Sequence, residues 1–212
     1  MKEDLLRFKK NQKYIFFDYE TCNLNLNLSH NKPWQLGFLI AEGNKIKEKF
    51  EFYLAWDEIN VSKDAAAITG FSKSKYNKLK QDPLECLEIF DKYVYNKEYI
   101  IVGHNILGFD VYVHNIHRKL CNLDSDFSYL DRLYDTHCLS RAIKNKIPSP
   151  RDKMLSWQYK LLNFRVKGVK TNLKEMCKVY EIDFDEKKLH DALYDVEKTQ
   201  QVFNKIIWNL EI

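Results

Sequence analysis

Hydrophobic spacing changes character about a quarter of the way along the chain. Before that point the period is two. Lys13 to Tyr19 (KYIFFDY) is aromatic and β-branched and predicts a strand. Trp34 to Ala41 and Lys45 to Leu54 flank Glu42-Gly43-Asn44, and the second run sets Ile46, Glu48, Phe50 and Phe52 against lysines and Glu51. Two such runs about a Gly-containing turn predict a hairpin, so the chain opens as a three-stranded antiparallel meander. The spacing then becomes helical. Ser62 can cap Lys63 to Thr69, and Gly70 can end that turn. Asp82-Pro83-Leu84-Glu85 supplies a cap, a proline at the first helical position and an acid at the third. Leu84, Leu87, Ile89, Phe90 and Val94 give that helix an apolar face running to about Asn96.

Tyr99 to Gly103 is short and continuously apolar, as a buried strand is. A helix follows from about Phe109 to Cys121, then a weaker strand over Tyr129 to Asp135 and a helix through about Lys144. Pro148-Ser149-Pro150 breaks the pattern, a polar stretch runs to Lys170, and helices over Asn172 to Tyr180 and Asp191 to about Asn209 complete it. A meander followed by strand–helix–strand–helix predicts one α/β domain over residues 1–212, with a mixed five-stranded sheet flanked by helices.

Composition narrows the class. A chain of 212 residues suits one domain, and 45% hydrophobic with 14% aromatic residues excludes disorder as the main state. No apolar run approaches the ~20 residues of a membrane helix. The start is charged (Lys2, Glu3, Asp4, Arg7, Lys9, Lys10), unlike a signal peptide. Five scattered cysteines without a CxxC pair suggest reduced thiols and a cytoplasmic location. A net charge of +4 permits a polyanionic partner without requiring one.

Acids recur where elements meet. Asp18 and Glu20 end the first strand, and residues two apart project to the same face, so a core element carries two anions to its tip. Asp110 follows the second apolar strand, at a strand-to-helix junction. His190 and Asp195 flank a helix start that Asp191 can cap. Singly, these residues also suit a solvated strand end, a first-turn acid and a surface histidine. Together they describe a pocket. Four converging carboxylates would drive protons back onto one another unless cations intervened, and oxygen donors suit Mg²⁺ or Mn²⁺. Two such ions ~3.5–4 Å apart can clamp the attacking and leaving oxygens of a phosphodiester, and a histidine can deprotonate water near neutral pH.

FDYET (Phe17 to Thr21), HNILGFD (His104 to Asp110) and HDALYD (His190 to Asp195) resemble the three motifs of the DEDDh, or DnaQ-like, 3′–5′ exonucleases, in the family's order and at similar spacing. Ala67-Ile68-Thr69-Gly70-Phe71 resembles the family's Ile-Thr-Gly loop. Tyr134-Asp135-Thr136 with Leu139 and Arg141 resembles its last strand and following helix. The resemblance covers about Tyr14 to Phe203 and implies a ribonuclease-H-like sheet. It implies that Asp18 bridges two metal ions, that Glu20 and Asp195 hold the one carrying the attacking water, that Asp110 supports the second, and that His190 is the general base. It also implies that backbone near Thr21 and Cys22 meets the terminal nucleotide, that Ile68 and Phe71 wedge or stack at terminal bases, and that His104 and Asn105 lie beside the substrate. Ile68 also suits a buried helix end, and Asn105 with Phe109 better suits structural support of Asp110.

Two other groupings compete with this one. From 144 to 170 the bases Lys144, Lys146, Arg151, Lys153, Lys160, Arg165, Lys167 and Lys170 face one acid, Asp152, with Trp157, Tyr159 and Phe164 interleaved. Residues 146–170 thus read as a basic insertion, either a single-strand-binding segment or a mobile loop. His114, His117 and Cys121 follow helical spacing but lack zinc-site geometry, and are expected as hydrogen-bonded core side chains. The expected activity is a metal-dependent 3′–5′ exonuclease on DNA, preferring single-stranded 3′ ends and releasing nucleoside 5′-monophosphates. The expected partners are nucleic acid with a free 3′ end and a DNA polymerase or replication/repair complex. The alternatives are an exoribonuclease and a non-catalytic domain that binds nucleic acid or a polymerase.

Overall fold

Strand β1 (Lys13–Thr21) is the spine of the sheet. The computed structural model describes residues 4–23 and 31–212, so Lys2 and Glu3 of the charged start lie outside the described residues. After β1 come β2 (Pro33–Glu42), β3 (Lys45–Leu54), α1 (Lys63–Thr69), α2 (Lys73–Leu79), β4 (Lys80–Gln81), α3 (Pro83–Val94), β5 (Tyr99–Gly103) and α4 (Asp110–Leu120). The chain continues with β6 (Leu133–Asp135), α5 (Thr136–Lys144), α6 (Met154–Asn163), α7 (Leu173–Val179) and α8 (Ala192–Asn209). The strand order is β4-β3-β2-β1-β5-β6. β1, β2 and β3 form the expected antiparallel meander, while β5 lies parallel to β1 and β6 parallel to β5.

The alternation along β1 decides what each face meets. Tyr14 and Phe16, with Leu39 and Ala41 of β2, pack against Val196, Val202, Phe203 and Ile206 of α8. Phe203 sets its ring edge-on to both Tyr14 and Phe16. Ile15, Phe17 and Tyr19 point the other way, onto Leu87 and Phe90 of α3 and Val111 of α4. The sheet is therefore covered on both faces, and Asp18 and Glu20 continue the α8-facing series beyond its apolar part. The local signals act as read. Ser62 Oγ accepts from the Ala65 amide, Gly70 adopts φ 65°, and Asp82 Oδ1 accepts from the Leu84 and Glu85 amides ahead of Pro83.

Three elements differ from expectation. The sheet has six strands rather than five, because Lys80–Gln81 pairs with Tyr53 and Leu54 at the edge. Two residues are too few for any periodicity, and this pairing is a tertiary event. The strand expected over Tyr129 to Asp135 begins only at Leu133, since Leu130–Arg132 forms a 3-10 turn. The basic stretch carries the ten-residue helix α6, which buries Gln158 and Leu161 against the domain. All five cysteines are free. Among the described residues no helix is long and apolar enough to cross a membrane.

Candidate active site

The acids reach one cleft by different routes. Asp18 and Glu20 sit on β1 opposite Gly37 and Gln35 of β2. Asp110 opens α4, where the helix dipole favours an anion, and is only 2% exposed. Its Oδ1 accepts the Tyr19 amide at 2.9 Å, which ties α4 to the strand between the two other acids. Asp195 lies in the first turn of α8. His190 takes a positive φ of 69°, a conformation costly for most side chains, and its amide donates to Asp195 Oδ2 at 3.1 Å. The other carboxylate oxygen, Oδ1, is buried without a hydrogen-bond partner. Ligand atoms of Glu20, His190 and Asp195 all lie within 4.8 Å of one another. Asp18, Glu20, Asp110, His190 and Asp195 all line a cleft of about 750 Å³.

Among the described residues these carboxylates form no ion pair, and their charges act on one another. Burial, then the charges of Asp110, Glu20 and Asp195, pushes the Asp18 carboxyl well above the carboxylate range. Burial and then Asp195 do the same to Glu20, and burial outweighs the Tyr19 amide at Asp110. Asp195 is pushed up to about 7 by burial, against the opposing hydrogen bond from His190. Partial desolvation lowers the His190 imidazole, which favours its neutral form. An orphaned buried oxygen among mutually repelling carboxylates fits a divalent cation, and a mostly carboxylate donor set suits a hard one.

Strand β2 is the bracket for the histidine loop. A Cβ on Gly37 would lie 2.4 Å from the Leu193 nitrogen and 2.5 Å from the Ala192 carbonyl carbon, so only glycine lets the start of α8 rest on the sheet. Gln35, fully enclosed, grips the same turn. Its Nε2 donates to Asp191 Oδ2 (3.3 Å) and Glu51 Oε1 (3.0 Å), and its Oε1 accepts the Ala192 amide (3.3 Å). Asp191 in turn caps α8 through the Tyr194 amide. Sequence reasoning missed both bracket residues; an amide and a glycine within an otherwise apolar strand were the available signal.

A second support lies across the cleft. Asp135 caps α5 through the His137 amide and accepts the Asn105 (2.9 Å) and Leu107 (3.1 Å) amides, fixing the loop that precedes Asp110. Its own amide donates to buried Gln158 of α6 at 2.6 Å. His104 Nδ1 shares a hydrogen bond with Thr136 Oγ1, while its Nε2 is buried without a partner; burial holds its pKa down to about 3.

Of the remaining expected contacts, Thr21, Ile68, His104 and Asn105 line the cleft. Cys22 and Phe71 do not. Cys22 joins Trp34, Tyr53 and Tyr76 in a small separate core, and Phe71 packs edge-on to Trp34 at 5.0 Å. The reason is local: Gly70 turns the chain so that Ile68 stays 43% exposed while Phe71 folds inward. The Cys22 backbone is engaged as well, its amide donating to Lys32 O and its carbonyl accepting from Ser62 N. The cleft also receives Phe109, His137, Arg141, Asn163, Arg165 and Asn172, so the basic stretch reaches the site through Arg165. His114 and His117 are buried and hydrogen-bonded, to Tyr129 and Asp91 and to Tyr19 and the Pro83 carbonyl, as expected of core side chains.

A mixed sheet of this order is the ribonuclease-H-like fold, here with four carboxylates and a histidine gathered in the cleft at the carboxyl end of β1. Comparison with known proteins agrees. The family model described as exonuclease (RNase T) matches residues 15–203, and the chain belongs to that family, with its DEDDh motifs. Members of the family use divalent metals. The DNA polymerase III PolC-type protein of Ureaplasma parvum serovar 3 (strain ATCC 700970) is 28% identical over 204 residues, which are 94% of this chain and 12% of that protein. Exonuclease I, in a structure described as suggesting how processivity is achieved, superposes with a TM-score of 0.72 at 16% identity over 93% of this chain and 41% of that one. The E. coli exonuclease I complex with a dT13 oligonucleotide gives 0.72 at 17% identity, again over 93% and 41%. At such identities the structural likeness speaks for the fold, and the chain spans well under half the length of either relative.

Proposed function

We propose that the chain is a divalent-metal-dependent 3′–5′ exonuclease that removes nucleoside 5′-monophosphates from free 3′ ends, with single-stranded DNA preferred. The observation that carries this reading is the convergence of Asp18, Glu20, Asp110 and Asp195 with His190 on one cleft, with Asp195 Oδ1 left unpartnered. Those four carboxylates would hold two ions, Mg²⁺ or Mn²⁺, which supply Lewis-acid neutralisation of the scissile phosphate. His190, kept neutral by its lowered pKa, accepts a proton from the attacking water. The hydrogen bond that its backbone N–H donates to Asp195 Oδ2 keeps the base in register with the acids. Ile68 offers an apolar edge to the terminal base, and the unpartnered His104 Nε2 offers a hydrogen bond to the terminal nucleotide. Arg165 adds a cation where the next phosphate would pass.

The single-stranded DNA preference draws on exonuclease I, whose structures include complexes with dT13 and dA16 oligonucleotides. Association with a replication polymerase draws on the PolC-type relative. RNA is the second reading, because the chemistry acts on phosphate and no residue of the cleft is committed to excluding a 2′-hydroxyl. The test is a 5′-labelled oligonucleotide panel, DNA and RNA in parallel, with and without chelator. A one-nucleotide ladder that needs metal and disappears in Asp18→Ala and His190→Ala is expected. Undiminished activity in either variant refutes the assignment.

A further inference from the structure

The end of the sheet opposite the acids carries a second built surface. There the start of β1, the Glu42-Gly43-Asn44 turn and the last turns of α8 enclose a groove of about 760 Å³. Its walls carry Arg7, Lys9, Lys10, Lys45, Lys47 and Lys205 against one acid, Glu42. Glu42 is taken by Lys47 at 2.8 Å, and Arg7 is within 3.8 Å of Glu211. Among the described residues Lys9, Lys10, Lys45 and Lys205 make no ion pair. At the rim, Trp208 is 62% exposed, more than any other large apolar side chain among the described residues, and Phe8 is 47% exposed. The two rings meet edge to face at 6.2 Å, which steadies the indole while leaving much of its surface open.

We propose that this groove is a remote contact for single-stranded nucleic acid, holding the 5′ portion of the strand whose 3′ end occupies the cleft. The inference rests on the exonuclease reading for its orientation, though not for binding itself. Unpaired lysines beside an exposed indole suit a strand that offers phosphates and base faces together. An acidic peptide would also meet the charge, but the most exposed apolar group at the groove is the flat Trp208 indole, which suits stacking on a base. The fold sets the reach. Along α8 the thirteen steps from Asp195 to Trp208, at about 1.5 Å each, separate cleft from groove by about 20 Å. A strand stacked at about 3.4 Å per nucleotide needs about six nucleotides to span that distance. A four-nucleotide oligomer whose 3′ end occupies the cleft cannot also reach the groove, and a long one can.

Fluorescence anisotropy of labelled dT25 and dT4, measured in chelator so that no turnover is needed, tests this directly. Trp208→Ala and the double variant Lys9→Glu/Lys205→Glu are compared with wild type, with melting curves as a control. Both variants change exposed side chains, so the melting temperature should hold. The expected result is a Kd for dT25 at least fivefold weaker in each variant, dT4 unaffected, and a salt slope reduced by about 0.7 for each phosphate that the protein no longer neutralises. Equal losses on both lengths, no loss on either, or no dT25 binding by wild type overturns the proposal. So does capture of an Asp/Glu-rich peptide that dT25 fails to displace. The metal-dependent ladder assay is scored separately, so failure of the exonuclease reading is distinguishable from failure of the groove.

Discussion

Replacing Gly37 with alanine tests whether the β2 bracket sets catalytic geometry. The new Cβ would meet the backbone at 2.4 Å (Leu193 N), 2.5 Å (Ala192 C) and 2.7 Å (Leu193 Cα), where ordinary contact begins near 3.4 Å. None of these atoms can rotate away, so the first turn of α8 must retreat by about 1 Å. Asp195 and His190 move with it, because the His190 amide is bonded to Asp195 Oδ2, while Glu20 stays on β1. A donor set now held within 4.8 Å therefore opens. Overpacking of this kind costs about 1–3 kcal/mol, or roughly 2–12 °C in melting temperature for a chain of this size. A displacement of about 1 Å at reacting groups can cost about 10²-fold in kcat. Gly43→Ala is the control. It meets Lys10 O at 2.4 Å and has a φ of 56°, so it also destabilises, but at the far end of the sheet. Steady-state cleavage of a short labelled DNA, with melting curves, reads both effects. If Gly37→Ala keeps kcat within twofold, or if Gly43→Ala loses as much, the bracket does not position the site.

Other consequences are as direct. His190→Ala should lower kcat by about 10²- to 10⁴-fold with little change in melting temperature, read by the same labelled ladder. In chelator, stability should fall as pH rises. Carboxyl groups raised above their unfolded values stabilise the fold while protonated, and Asp195 loses that contribution between its ordinary 3.8 and about 7, with Asp18, Glu20 and Asp110 acting in the same direction. The metal-free melting temperature should therefore drop from pH 5 to pH 8, Mg²⁺ or Mn²⁺ should restore it most at the higher pH, and Asp195→Asn should flatten the profile. Gln158→Leu should cost about 2–4 kcal/mol in urea unfolding, because it strips partners from the Asp135 amide and the Leu133 carbonyl, both enclosed. An unchanged midpoint would show that α6 is not needed to hold the Asp135 support.

What could be read from the amino-acid order was what local periodicity controls. The parity that sinks Tyr14 and Phe16 beneath α8 also aims Asp18 and Glu20, so the pair was visible before any contact was known. The caps Ser62, Asp82 and Asp191 acted at the positions where they stand in the chain. Elements made by partners were hidden. Lys80–Gln81 is a strand only because Tyr53 and Leu54 lie beside it. Helix α6 begins after Lys153 in a left-handed conformation with no side-chain cap, and its buried polar residue, Gln158, has meaning only against the backbone of β6. Phe71 was expected outward beside Ile68, but Trp34 and Tyr76 offer its ring a core that no spacing announces.

The same distinction separates the acids from what aims them. A carboxylate declares itself by being an unusual residue on an apolar element, whereas Gln35 and Gly37 look like routine members of a strand until α8 arrives against them. Four acids that repel one another cannot gather themselves, so the fold must hold them together against their own charge. Here three rigid attachments do so: the β1 pleat, the Tyr19 amide on Asp110, and the β2 bracket on α8. Loss of any one should therefore relax the cluster, making the metal-free protein more tolerant of high pH even as it becomes a poorer catalyst. A shallower fall of metal-free stability with pH, alongside the loss of activity, is what separates a positioning defect in this cleft from ordinary destabilisation.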